Sequence, residues 1–176
     1  MSSSTVRVAT LTLSDTRTLD DDEGGRLLGA LLSDAGFEIV SHAVVREDGP
    51  PLREALTALC GGKQVDAVIL TGGTGIAPRD TTIETLLPLF DKTLDGFGEA
   101  FRRLSWEQIG PRAILSRATA GVIRGVVVMS LPGSPKAVRL GVETLIAPTL
   151  THAVDLASGR GGAHHHHHAS PPKDRA

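Results

Sequence analysis

The chain has 176 residues, 40% hydrophobic and 22% charged, with a formal net charge of −2. That length suits one domain able to bury about 70% of the surface its unfolded form exposes, and the slightly acidic balance excludes a general nucleic-acid binder, which needs a basic stripe. With four Phe, one Trp and no Tyr the core must be aliphatic, and a single cysteine, Cys60, excludes an internal disulfide framework.

No apolar run approaches the roughly 20 residues that span a bilayer. The opening MSSSTVRV lacks the basic-then-apolar layout of a signal peptide. The expectation is a cytoplasmic protein with no membrane and no nucleic-acid partner.

Residues 6–13, VRVATLTL, predict a buried strand, stopped by the turn chemistry of Ser14-Asp15-Thr16. The acidic run Asp20-Asp21-Asp22-Glu23 reads as a solvated loop ahead of a helix. Leu28, Leu31, Leu32 and Ala35 then recur at helical spacing, and Gly36 closes that helix. Residues 37–45 predict a second strand. Pro50 and Pro51 open a second helix with the stripe Leu52, Ala55, Leu56 and Leu59, and Cys60 at its end reads as a small apolar residue, not a nucleophile. Residues 66–71, DAVILT, form a third strand that runs into Gly72-Gly73-Thr74-Gly75.

Residues 81–87 predict a short helix, capped by Thr81 or Thr82 with Glu84 in its first turn, and residues 98–106 another. Trp106 reads as a packing residue. ATAGVIRG and VVVMSLPG give two more strands, split at Arg124-Gly125. The last long helix starts at Ser134-Pro135, with Ser as N-cap and Pro in the first helical position. Strands alternating with helices predict an α/β fold, a three-layer α/β/α sandwich around a mostly parallel sheet, over residues 1–157. Residues 158–176 read as a disordered, low-complexity tail. Its five histidines, 164–168, would retain nickel resin and are remote from any catalytic metal.

In an open parallel sheet, ligands bind beyond the carboxyl ends of the strands. Three strand ends here carry unusual chemistry: Ser14 and Asp15, then Gly72 to Gly75, then Pro132, Gly133 and Ser134. The glycine loop can aim successive N–H groups at an anion, or simply turn the chain tightly. It lacks the Lys-Ser/Thr ending of a P-loop and the spacing of the dinucleotide fingerprint, which argues against a Rossmann-type oxidoreductase. Asp80, with Arg79 beside it, either favours a helix dipole or aims at Mg²⁺. Asp48, in VVREDGPP, is the second strand-end acid. Two acids beside an amide cradle would repel bare phosphate but accept one arriving with its metal. Ser134 can cap its helix and also donate to phosphate, with Lys136 as a nearby cation. His42, in a strand, and His152, in a helix, have no Ser or Cys partner by spacing, so a hydrolytic triad is unsupported.

Five stretches, in order, resemble the MogA/MoaB family of molybdenum-cofactor biosynthesis, which includes the G domain of gephyrin. They are TLSDTR (12–17), TGGTGIAPRD (71–80), DGFGEAFR (95–102), AILSRATAGVIRG (113–125) and LPGSPKAV (131–138). TLSDTRT and FRRLSWEQIG are more similar to the MoaB branch. The resemblance implies the molybdopterin-binding fold, assembled as a trimer or dimer of trimers, with contacts to other proteins of that pathway. It also implies a molybdopterin adenylyltransferase, in which the pterin's terminal phosphate attacks the α-phosphate of ATP and pyrophosphate leaves with Mg²⁺. The alternative is a non-catalytic molybdopterin carrier or scaffold. By the same resemblance Asp48 and Asp80 are the catalytic, Mg²⁺-holding acids. Gly72, Gly73, Thr74 and Gly75 bind nucleotide phosphate. Ser14, Asp15, Pro132, Gly133 and Ser134 contact ligand, and Glu99 is an acid near the pocket.

Overall fold

A computed structural model describes residues 5–159. The histidine run and the rest of the tail beyond Gly159 lie outside the described residues. Six strands form one sheet in the order β2-β1-β3-β6-β5-β4. Strands β1 (Arg7–Leu13), β2 (Glu38–Val45), β3 (Ala67–Thr71) and β6 (Val126–Leu131) are mutually parallel. Strand β5 (Thr119–Ile123) and the two-residue edge strand β4 (Lys92–Thr93) pair antiparallel.

The central parallel strands β1, β3 and β6 are buried on both faces, so their alternate residues feed two separate cores. Strand β2, at the edge, is only partly buried. On one face Val8, Ile69, Val127 and Met129 meet Leu28 and Leu32 of α1 (Glu23–Asp34), Phe101 of α4 (Asp95–Ile109) and Val138 of α5 (Pro135–Gly141). Leu150 and Val154 of α6 (Ala147–Ala157) complete that layer. On the other, Leu11, Leu13, Val68 and Leu70 meet Leu52, Leu56 and Cys60 of α2 (Gly49–Gly61) and Leu86 of α3 (Thr82–Leu86). The three-layer α/β/α sandwich is therefore present, and Cys60 is a buried packing residue whose thiol burial pushes up to about 11.

The departures from sequence expectation have local causes. Arg124 and Gly125 both take positive φ, 50° and 83°, making a two-residue turn of the type that joins antiparallel strands. Strand β5 consequently runs against the sheet. Helix α4 extends further at both ends than its apolar pattern indicated. Gly96 and Gly98 break the pattern, and Gly98 is small because a side chain there would press on the Ala118 carbonyl just ahead of β5. The last helix is interrupted by a π turn over Val142–Ile146, just ahead of Pro148, whose ring and missing N–H disfavour a regular α-turn.

The acidic run is not wholly solvated. Asp22 is fully buried. Its Oδ1 accepts from Gly25 N at 2.8 Å and caps α1, while its Oδ2 lies 3.0 Å from His42 Nε2. On its other side the His42 ring is hydrogen-bonded through Nδ1 to Thr10 Oγ1 at 2.8 Å. This chain of three side chains ties the start of α1 to β2 and β1. Asp22→Ala should therefore lower stability by about 2 kcal/mol in urea denaturation, whereas Glu23→Ala, at an exposed first-turn acid, should cost only a few tenths.

Candidate functional site

Strands β1, β3 and β6 end side by side, and a cavity of about 460 Å³ opens above them. Its floor is Leu13, the Gly72-Gly73-Thr74-Gly75 loop and Pro132-Gly133-Ser134. One wall carries Glu47 and Asp80. The opposite wall comes from α4, the turn of 3₁₀ helix Gly110–Leu115, and α5, through Phe101, Ser105, Ile109, Arg112, Leu115 and Lys136.

The glycine loop is determined by crowding. Gly72 takes φ 105° and donates its N–H to Leu131 O at 3.0 Å. A side chain on it would strike the Leu13 carbonyl. Gly73, at φ 64°, leaves the space that Thr82 Oγ1 occupies, with Glu47 Oε1 3.0 Å from where a Cβ would stand. Beyond the loop, Asp80 folds back so that its Oδ2 accepts from Ala77 N at 2.7 Å. Ser134 caps α5, its Oγ accepting from Ala137 N at 3.3 Å. All eight of Gly72, Gly73, Thr74, Gly75, Asp80, Pro132, Gly133 and Ser134 line this one cavity.

The remaining expected residues fall elsewhere. Ser14 and Asp15 do not line the cavity. Ser14 Oγ accepts from Thr16 N and Arg17 N, and Asp15 Oδ1 accepts from Glu47 N at 3.1 Å. Glu99 lines a separate, shallower depression with Asp95, Arg102 and Arg117. Asp48 requires correction: it is exposed, sits at the N-cap position of α2 without a side-chain cap bond, and does not line the cavity. Its neighbour Glu47 does. Beyond the end of β2 the chain turns tightly, Asp48 N donating to Arg46 O at 2.8 Å, and the conformation of that turn decides which acid enters. Glu47, Arg112 and the α4 wall were not found from sequence. The only signal for Glu47 was its adjacency to Asp48.

Burial first, then hydrogen bonding to Asp80 and repulsion from Asp80 and Asp15, pushes the Glu47 carboxyl up to about 7, against a pull from Arg79. Arg112 and Lys136 add two basic side chains to the cavity lining. Two carboxylates, loop amides and two cations suit a ligand bearing phosphate and a divalent ion.

These features define an α/β domain with a ligand-sized cavity at the carboxyl edge of its parallel strands. Residues 9–152 match the family described as "Probable molybdopterin binding domain". The chain is similar to molybdenum cofactor biosynthesis protein B of Bacillus subtilis (strain 168), with 50% identity over 150 residues, 85% of this chain and 88% of that protein. Among solved structures it is similar to a crystal structure of molybdenum cofactor biosynthesis protein B, with TM-score 0.86 and 44% identity over 89% of this chain and 98% of that one. The tungsten cofactor synthesizing protein MoaB from Pyrococcus furiosus superposes with TM-score 0.77 at 42% identity, over 88% of this chain and 98% of that chain. The chain belongs to this molybdopterin-binding-domain family, in its molybdenum cofactor biosynthesis protein B branch. Among the described residues no helix is long and apolar enough to cross a membrane.

The acid pair makes a pH prediction. The native Glu47 carboxyl holds its proton up to about 7, against an ordinary value of 4.5. Its contribution to stability is therefore full below 4.5 and is lost as pH rises through 7, where two carboxylates face each other. Melting temperature measured from pH 5 to pH 8 without divalent ions should fall more for the wild type than for Glu47→Gln.

Proposed function

We propose that this chain binds molybdopterin and transfers AMP to it from Mg-ATP, as a molybdopterin adenylyltransferase of molybdenum cofactor biosynthesis. The observation that carries the reading is the Glu47–Asp80 acid pair set beside the Gly72 to Gly75 amides in one cavity. That combination matches what phosphoryl transfer asks of a protein, which is positioning and charge neutralisation with no covalent nucleophile.

In this reading Gly73, Thr74 and Gly75 offer N–H groups to the non-bridging phosphate oxygens, and Ser134 keeps its hydroxyl proton free for a further one. Arg112 and Lys136 balance the remaining phosphate charge. Leu13, Phe101, Ile109 and Leu115 supply apolar walls for flat rings. The pterin's terminal phosphate oxygen forms a bond to the α-phosphorus of ATP as the α–β bridging bond breaks, and pyrophosphate leaves. Among the described residues no three His, Cys, Asp or Glu side chains gather around a metal site. Glu47 and Asp80 accordingly fit Mg²⁺ only together with substrate phosphates and water, as this ion prefers. Bound there, Mg²⁺ would neutralise the triphosphate and the departing pyrophosphate.

Assembly as a trimer or a dimer of trimers belongs to the same proposal. It is supported by exposed Leu87, Trp106 and Ile114, which border two adjoining depressions along α4.

The test is incubation with molybdopterin, Mg²⁺ and ATP labelled at the α-phosphate. Label should enter a pterin product as pyrophosphate appears. Asp80→Asn and Glu47→Gln should each slow turnover on the order of 100-fold with pterin binding largely retained, while Asp48→Asn keeps near-wild-type turnover. Pterin binding without any product would move the chain to the carrier reading. Loss of activity in Asp48→Asn but not in Glu47→Gln would reverse the assignment of the second acid.

A further inference from the structure

Arg117, in the extended segment between the Gly110–Leu115 turn and β5, makes an unusual set of bonds to a single loop. Its backbone N–H donates to Thr74 O at 3.2 Å. Its Nε donates to Gly75 O at 2.8 Å and its Nη2 to Asp80 O, also at 2.8 Å. Its Nη1 pairs with Glu84, whose carboxyl it holds below the usual range. One residue therefore fastens both ends of the 74–80 segment, its side chain at Gly75 and Asp80, and anchors itself to the helix that follows.

Arg117 is not a ligand contact. It lines the shallow depression beside Glu99 and Arg102, and is absent from the lining of the main cavity. The loop stands between the guanidinium and the cavity. Peptide planarity then matters, because a carbonyl and the following N–H point in opposite directions. The Arg117 backbone N–H draws Thr74 O and so turns the Gly75 N–H away from it. The guanidinium holds Gly75 O and with it the next peptide plane. The planes on both sides of Gly75 are thus fixed, and the second depends on the side chain. With Asp80 O drawn the same way, the Asp80 backbone is held while its Oδ2 accepts from Ala77 N. Gly75 cannot hold this shape alone, since it has no side chain and a wide choice of backbone angles.

We propose that Arg117 is the positioning residue of the phosphate and metal side of the site, a brace behind the loop that sets the Gly75 amide and the Asp80 carboxylate for Mg-nucleotide. The proposal rests on the adenylyltransfer reading for its ligand, and on hydrogen-bond geometry for the brace itself. Arginine is required because its planar fork reaches Gly75, Asp80 and Glu84 together, whereas a lysine ammonium is a point donor on a flexible stem.

The experiment compares the full-length wild type with Arg117→Lys, Arg117→Met and Glu84→Gln. Amide hydrogen exchange is followed at Ala77 and Asp80, whose N–H groups are bonded within the loop, and at Ile69 and Leu70 of β3 as a measure of global stability. Mg-ATP binding is titrated by calorimetry in parallel. Both Arg117 variants should speed exchange at Ala77 and Asp80 about tenfold or more with β3 unchanged, and weaken Mg-ATP about tenfold, in the range of one lost charged hydrogen bond. Glu84→Gln leaves both carbonyl bonds in place and should do less on both counts. Unchanged loop exchange in the Arg117 variants would overturn the brace. Faster loop exchange with unchanged Mg-ATP affinity, or full function in Arg117→Lys, would overturn its role at the site. A wild type that binds no Mg-ATP would sink the adenylyltransfer reading, and the exchange measurements would still decide the brace. Should Arg117→Met also loosen β3, the Arg117→Lys comparison decides.

Discussion

Three strand ends come together at a point where only glycine fits. Gly72 gives its N–H to Leu131 of β6 and stands where any side chain would collide with the Leu13 carbonyl of β1. Because these neighbours are parallel strands buried on both faces, neither can move aside without disturbing a core. The cavity exists because β3 leaves the sheet at that residue with φ 105°. From this turn follow the orientation of the loop amides, the reach of Glu47 over Gly73 and the return of the chain to Asp80.

Around that turn the structure accepts electrostatic cost. A glutamate raised to about 7 by burial and by Asp80 would be more comfortable facing solvent, as Asp48 does beside it. Its placement is instead enforced by the Asp15 carboxylate, which accepts the Glu47 backbone N–H and adds further repulsion. Strained charge of this kind collects at functional sites, where a ligand's own charge relieves it. The residues outside the cavity have supporting parts. Asp15 holds the acid wall, Arg117 holds the loop, and Asp22 with His42 seats α1, whose Gly24 lies against the Gly133 carbonyl.

Much of the fold was legible because its signals are local. The apolar runs of β1 and β3, the stripe of α1, the Ser134-Pro135 helix start and the break at Arg124-Gly125 each depend on neighbours a few residues away. The edge strand Lys92–Thr93 carried no such signal, being two exposed polar residues. The extent of α4 was hidden because Gly98 is explained by the Ala118 carbonyl, a partner remote in sequence. Asp22 looked solvated for the same reason, since its burial depends on His42, twenty residues further along the chain.

The sequence by itself determined the layer order, the family and the three strand-end loops, because periodicity and glycine spacing are written along the chain. Only the tertiary structure decided which of two adjacent acids enters the cavity, that Glu99 belongs to a different depression, and that Arg117 stands behind the loop. Those outcomes depend on which way a side chain points just past the end of a strand, and on contacts between residues remote in sequence. Composition and local pattern carry no information about either.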